Sequence, residues 1–358
     1  MKLLIHDLNE KEWNEAAEQY RDYEVISGRG SITPCTGCFG CWLKNPGQCV
    51  MQDGYENMGE LIHRADEVTV ISRYTYGGFS SCVKNVLDRS IGWVLPYFEV
   101  VEGEMHHRKR YPEEKPFTFI FRGSAFTAEE KEKAKAYTEA VCRNLRGRVK
   151  ELAFVPCEPE PEQAAETPVS CNPEKIILLN GSLRGEEANT RKFLGKLSES
   201  LVKGEIVNLS AARTDETVRT LLSAGTLVLG MPMYVDGIPS QVLRVMERLE
   251  QNPGARKRIY VVAKMGLYDV VFSVIWLAEE RIALADDKIA ADTAPNLRQV
   301  SYHNTFALLF LNGFYNRLDE FTHSIFIFSL QRYCKSCEMQ NKLGKIGYLI
   351  KKTCEKFW

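Results

Sequence analysis

The sequence predicts an α/β protein built twice over: two tandem domains, each a doubly wound parallel sheet, followed by a divergent, mostly helical C-terminal region. Three observations lead there. From residue 2 to residue 155, short apolar and β-branched runs alternate with amphipathic stretches of helical length, the order that yields a parallel sheet buried on both faces. Residues 156–174 break that order with five prolines and five glutamates and read as a linker. The strand and helix pattern then starts again, which implies internal duplication. The expected bounds are 1–155 for the first domain, 156–174 for the linker, 175–266 for the second domain and 267–358 for the divergent region.

In the first half, residues 2–8 read as a buried strand, 11–20 as a helix with one polar face, and 23–27 as a strand leading into a cysteine-rich loop. Asp53 can cap the helix that Met58, Leu61 and Ile62 mark by their spacing. Residues 67–73 form a β-branched strand and 80–91 a helix, in which Lys84 and Asp88 make an i, i+4 charge pair. Strand 116–123, helix 128–145 and strand 149–155 complete the half. The basic run His106-His107-Arg108-Lys109-Arg110, followed by Glu113 and Glu114, reads as a solvated loop with exposed histidines. Cys82 and Cys142 fall in helices and read as small packed hydrophobes.

The second half gives strand 175–180, a polar glycine-containing loop over 181–190, helix 191–201, strand 206–209, helix 216–223, strand 226–230, helix 239–249 and strand 258–264. Beyond it, 268–291 reads as helix, whereas 305–328 is aromatic-rich without a clear period. Cys334 and Cys337 have no second pair at zinc spacing and read as plain tail thiols.

Composition narrows the function. A net formal charge of −1 and a pI near 6.6 supply no general pull toward nucleic acid or an anionic membrane. No apolar run approaches the roughly 18 residues of a spanning helix, and the N-terminus turns polar too soon for a signal or transit peptide. A cytoplasmic protein with neither nucleic-acid nor membrane partners is expected. Eleven cysteines then point to metal, redox or reduced core thiols before disulfides. Hydrolase triads and Walker-type loops have no residues to carry them.

Two stretches carry chemistry. Cys35, Cys38, Cys41 and Cys49 lie in a loop with no room for a helix or strand, at a CxxCxxC spacing that lets one turn aim three sulfurs at a point while the fourth closes the set. Such a set suits an iron–sulfur cluster. Zinc and metal-free thiols are the competing readings, and a CxxC at a helix start would favour thiol exchange by lowering a thiol pKa. In the second half, Asn180-Gly181-Ser182-Leu183-Arg184 ends a strand and Asn189-Thr190 opens a helix. Turn amides, the Ser182 and Thr190 hydroxyls and the helix dipole would face one anion, and Arg184 would add charge. The corresponding first-half turn, Asp7-Leu8-Asn9-Glu10, is acidic and lacks the glycine and hydroxyls.

The run from Cys35 to Asp53, the Ser72-Arg73-Tyr74 turn and the helix Lys84-Asn85-Val86-Leu87-Asp88-Arg89 resemble the flavodoxin-like NAD(P)H-dependent FMN oxidoreductases and iron–sulfur flavoproteins. Ser182, Arg184, Asn189 and Thr190 resemble that family's phosphate loop, roughly G-S-x-R followed by N-T. Pro232, Met233, Tyr234, Val235 and Gly237 resemble its turn beside the flavin ring. The resemblance implies two tandem flavodoxin-like domains with FMN held by the second, NAD(P)H as co-substrate, and a [4Fe–4S] cluster on Cys35, Cys38, Cys41 and Cys49 as a one-electron port. It also implies a small-molecule electron donor and acceptor, a ferredoxin-like protein partner and a homo-oligomer. The expected function is an FMN-dependent oxidoreductase; the alternative is a non-catalytic flavodoxin-like binding or scaffold protein.

Overall fold

A computed structural model of the chain describes residues 1–101, 104–158, 169–200, 204–251, 258–265, 309–310 and 324–329. It is an α/β protein with two parallel sheets, and the chain divides into two compact units. Unit 1 comprises Met1–Glu162 and Tyr234–Arg244, and unit 2 comprises Gln163–Met233 and Val245–Trp358. The break between them falls in the proline- and glutamate-rich stretch. The inclusion of Tyr234–Arg244 in unit 1 departs from the expected bounds of 1–155 and 175–266. Among the described residues no helix is long and apolar enough to cross a membrane.

Unit 1 contains strands β1 (Lys2–His6), β2 (Tyr23–Ser27), β3 (Glu67–Thr75), β4 (Gly78–Phe79), β5 (Val94–Val101), β6 (Glu104–Lys109), β7 (Lys115–Gly123) and β8 (Gly147–Pro156). Its helices are α1 (Glu10–Ala16), α2 (Gly40–Leu43), α3 (Met58–Arg64), α4 (Ser81–Arg89) and α5 (Ala128–Asn144). The main sheet runs β2-β1-β3-β7-β8, all parallel, with β4 folded back on β3. Alternate residues bury opposite faces. Leu3, Ile5, Val68, Val70, Phe117, Phe119 and Phe121 pack with α3, α4 and α5, while Leu4, Ile71 and Ile120 meet the Trp13 and Tyr20 side. Burial on both faces is why these strands read as nearly continuous apolar runs. Asn9 with Glu12, and Thr127 with Glu130, form capping boxes that start α1 and α5, and Ser80 caps α4.

Unit 2 contains β9 (Asn172–Asn180), α6 (Asn189–Ser200), β10 (Gly204–Asn208), α7 (Thr214–Leu222), β11 (Ala224–Pro232), β12 (Arg258–Met265), β13 (Leu309–Phe310) and β14 (Ser324–Ser329); α8 (Ser240–Glu250) begins in the segment counted with unit 1. Strand order is β10-β9-β11-β12-β14-β13, parallel as far as β12 and antiparallel beyond. Leu178, Val228, Tyr260 and Val262 form one core with Phe193, Leu194 and Leu197 of α6.

Several expectations are corrected. Residues 94–109 form an antiparallel hairpin that the sequence reading missed, and His106 is a buried strand residue while His107 is half-buried, so neither is an exposed loop histidine. Phe98 and Trp42 flank the His107 ring, and burial lowers its pKa to about 4. The cysteine loop does hold a helical turn, α2. Asp53 does not cap α3, whose N-cap is Asn57; it takes Arg89 through both oxygens, at 2.7 and 2.9 Å, and accepts the Thr33 and Tyr55 amides. Lys84 and Asp88 do pair, but in the interior, with both side chains 1% exposed, rather than on a helix face in water. In the region expected to be mostly helical, the described residues of 267–358 are the two strands β13 and β14, and the expected helix at 268–291 lies outside the described residues.

Candidate functional site

The two units share a local framework where their first strands end. In unit 1 the His6 carbonyl accepts Gly28 N–H at 2.7 Å, and Asp7 N–H donates to the Ile71 carbonyl at 3.2 Å. In unit 2 the Asn180 carbonyl accepts Leu209 N–H at 3.0 Å, and Gly181 N–H donates to the Gly230 carbonyl at 2.6 Å. Each strand-terminal side chain also accepts the amide two residues on. His6 Nδ1 takes Leu8 N–H at 3.1 Å, and Asn180 Oδ1 takes Ser182 N–H at 3.3 Å. Sequence reasoning assigned no role to His6 or Asn180; a polar residue closing the first strand of both halves was the available signal.

The unit 2 turn is built open. The Asn180 side chain is buried and donates to the Gly185 carbonyl at 3.0 Å and to Asn208 Oδ1 at 2.9 Å, which fixes the loop's path. Ser182 and Thr190 are buried at 4% exposure, and Arg184 and Asn189 are exposed at the rim. Ser182 Oγ accepts Arg184 N–H at 3.4 Å. Among the described residues, the amides of Asn189, Thr190 and Arg191 and the Thr190 hydroxyl have no hydrogen-bond partner. Gly230 permits the approach of α6, since a Cβ there would come within 3.0 Å of Leu194 and Thr190. Glu186 holds Arg191 at 3.0 Å and accepts Asn208 Nδ2–H at 2.6 Å, so its carboxylate stays engaged at the rim. A phosphate monoester fits this donor set: two hydroxyls, orphan helix-start amides and a nearby guanidinium.

The unit 1 turn is filled by the chain itself. Asn9 and Glu12 satisfy each other's amides at 3.0 Å. Glu12 also receives Arg73 at 3.0 Å and Arg122 at 2.8 Å, and these partners hold its carboxyl below the usual range against the opposing effect of burial. The buried Asp7 carboxylate accepts Arg73 N–H at 2.9 and 3.2 Å, although burial still raises its pKa. The place an anion would take is occupied by carboxylates.

The two tyrosine turns also share a shape. Tyr76 and Gly77, flanked by the Thr75–Gly78 pair, have φ of 50 and 84°, while Val235 and Asp236, flanked by the Tyr234–Gly237 pair, have φ of 42 and 51°. Two consecutive left-handed residues make a tight primed turn. The structure separates the expected ring-side residues. Pro232 and Met233 lie at the end of β11 in unit 2. Tyr234, Val235 and Gly237 belong to unit 1, where Lys84 Nζ donates to the Tyr234 carbonyl at 2.6 Å and Val235 enters the main core. A Cβ on Gly237 would meet Lys84 and Tyr137 at 2.9 Å, and one on Gly37 would meet the Tyr234 hydroxyl. Asp88 accepts Ser240 N–H at 2.9 Å, so the Lys84–Asp88 pair anchors this segment from both ends.

The loop thiols lie within electrostatic range of one another, Cys35 of Cys41 and Cys49, and Cys41 of Cys49 and Cys38. Among the described residues no three histidine, cysteine, aspartate or glutamate side chains are grouped to hold an ion. Cys35 points inward, where burial and then the Asp88 charge push its pKa up to about 12; Cys41 is pushed up to about 11 by burial and then by Cys49 and Cys38. Both are neutral thiols at pH 7, contrary to the lowered pKa expected of a CxxC. Cys38 is exposed.

No family profile matches the chain, and no curated protein is similar to it. Among solved structures, the catalytic subunit of cobaltochelatase from Mycobacterium tuberculosis is similar over 64% of this chain at 12% identity, with a TM-score of 0.18. This chain spans 18% of that subunit's length. A likeness of that size carries no argument about fold or function.

Proposed function

We propose that the chain is an FMN-dependent oxidoreductase made of two tandem flavodoxin-like domains, with the cofactor phosphate held by the Asn180–Thr190 turn. The observation that carries this reading is the open turn itself: buried Ser182 and Thr190 hydroxyls beside helix-start amides that have no acceptor among the described residues. The strand order β2-β1-β3-β7-β8 supports it, being the 2-1-3-4-5 order of flavodoxin-like sheets, whose ligands lie beyond the carboxyl ends of the strands.

Bound FMN would supply the redox chemistry, taking a hydride from NAD(P)H and passing electrons to a small-molecule acceptor or a ferredoxin-like protein. The chain's own residues do the holding. The hydroxyls of Ser182 and Thr190 donate to phosphate oxygens, the α6 amides complete their coordination, Arg184 offsets the charge, and the Asn180 amide keeps the turn from collapsing. Pro232 and Met233 would border the ring from the end of β11.

A second reading, a non-catalytic binding or scaffold protein, is favoured by one feature: Tyr234, Val235 and Gly237 are engaged inside unit 1. The visible spectrum of protein purified without oxygen, with FMN and iron assayed on the same sample, separates the two. Flavin bands bleached by NAD(P)H support the oxidoreductase. Flavin that NAD(P)H cannot reduce, or a colourless protein that also fails to take up added FMN, supports the scaffold.

A further inference from the structure

The thiols of the cysteine loop are unequal. Cys38 is exposed, whereas Cys35, Cys41 and Cys49 are half-buried. Cys38 lies just before α2 and Cys41 within it, three residues on, and the two are within electrostatic range of each other. Phe39, which follows Cys38, is left-handed with φ of 58°, a conformation a bulky residue seldom adopts. Cys38 Sγ accepts Gly40 N–H at 3.4 Å, which fixes the sulfur over the start of the turn. A Cβ on Gly40 would come within 3.3 Å of that sulfur and 2.5 Å of Val50, so glycine is what lets the thiol fold back there. Cys49 lies against the Arg89 guanidinium, itself held through both oxygens of Asp53. Cys38 is therefore the loop thiol that an incoming molecule meets first.

The surface beside it is apolar. The Phe39 side chain is 48% exposed and Leu43, on α2, is 76% exposed. The Phe39 ring stacks on Trp42 with centroids 5.4 Å apart and planes 8° from parallel, so it is held as a flat shelf next to the thiol. A chain with apolar side chains gains by lying on such a surface, whereas a small polar disulfide gains little.

We propose that the chain reduces disulfide bonds of polypeptides, with Cys38 as the attacking thiol and Cys41 as the resolving one. Cys38, as thiolate, attacks one sulfur of the substrate disulfide; a Cys38–substrate disulfide forms, and the other substrate sulfur leaves and takes up a proton. Cys41 then attacks the Cys38 sulfur, its proton goes to the second substrate thiolate, and the Cys38–Cys41 disulfide closes. The substrate gains two electrons and leaves as two thiols, and the pair loses two. An external dithiol returns the pair to the reduced state by the same exchange. The activity uses the cysteines as free thiols and does not rest on the flavin reading.

The test uses the full chain, reduced and then freed of reductant, with insulin and oxidised glutathione as disulfides. The Cys41→Ser variant should accumulate a mixed disulfide on Cys38, mapped by peptide mass spectrometry, whereas the parent should pass on to the Cys38–Cys41 disulfide. With dithiothreitol as the recycling dithiol, the parent should speed insulin reduction roughly tenfold or more over Cys38→Ser, and act faster on insulin than on glutathione. Circular dichroism of both variants should match the parent. No adduct on Cys38 in Cys41→Ser, equal rates for the parent and Cys38→Ser, or a parent disulfide mapped to other cysteines overturns the proposal. Faster reaction with glutathione overturns the polypeptide assignment, and about four irons per chain with Cys38 closed to alkylation overturns the free-thiol role. A colourless protein that traps the adduct would sink the oxidoreductase reading and leave this activity standing; a flavin-loaded protein that traps none would do the opposite.

Discussion

The turn after β1 and the turn after β9 are cut to one backbone pattern and filled in opposite ways. Both start with a strand-terminal polar side chain that accepts the amide two residues on, and both hand an amide to the third strand. In the first, Asp7 and Glu12 bring the negative charge and Arg73 and Arg122 close on it. In the second, glycine, serine and threonine bring donors, and the Glu186 carboxylate is held at the rim by Arg191 and Asn208. A helix start next to cationic groups calls for negative charge, and a chain can build that charge in or leave it to a ligand. The first solution makes a structural joint; the second makes a binding site.

That contrast can be broken by substitution. Replacing Ser182 and Thr190 together with alanine should cost about 3 kcal/mol of FMN affinity, roughly a hundredfold, and leave the melting temperature nearly unchanged; flavin fluorescence titration and calorimetry read the two quantities separately. Glu12→Ala should do the reverse, lowering stability by about 2–3 kcal/mol through the lost capping box and the lost ion pairs to Arg73 and Arg122, with flavin affinity intact; urea denaturation measures it. If Glu12→Ala weakened flavin binding instead, the division of labour would be wrong.

The strand-end residues sharpen the contrast with pH. Folded His6 has a pKa near 4 against about 6.5 in the unfolded chain, so on acidification the unfolded state takes up its proton first. This contribution is whole above pH 6.5 and is lost as pH falls toward 4, by about 3 kcal/mol. Asn180 has no proton to gain. The His6→Asn variant, which imports the unit 2 residue, should flatten the stability profile over that window, and an unchanged profile would remove His6 from the account. The smallest effect concerns the cysteine loop: at pH 8 exposed Cys38 should be alkylated before the half-buried Cys35 and Cys41, whose raised pKa values keep them protonated, as peptide mass mapping over time would show.

Much of this was legible in the sequence, and the failures have physical causes. The second half of β9 and nearly all of β11 are buried on both faces, so each reads as an unbroken apolar run and was placed to within a few residues. The β5–β6 hairpin was missed because its second strand is Glu-Met-His-His-Arg-Lys, a polar sequence in which His107 is packed by Trp42, far away in the chain, and by Phe98 across the hairpin. The Lys84–Asp88 spacing was readable, its burial was not, because burial depends on Tyr234 and Ser240, 150 and 152 positions further on. The phosphate turn was visible as Gly-Ser and Asn-Thr. The role of Glu12 was not, since a glutamate three residues after an asparagine signals a capping box and says nothing of two arginines arriving from β3 and β7.

The most direct test of the central claim is to titrate the full chain with FMN and with riboflavin, which differ by the phosphate alone. The account predicts that FMN binds at least tenfold more tightly and that the Ser182→Ala/Thr190→Ala double variant binds the two equally. Equal affinities in the parent chain, or a preference for FMN that the double variant retains, would contradict it.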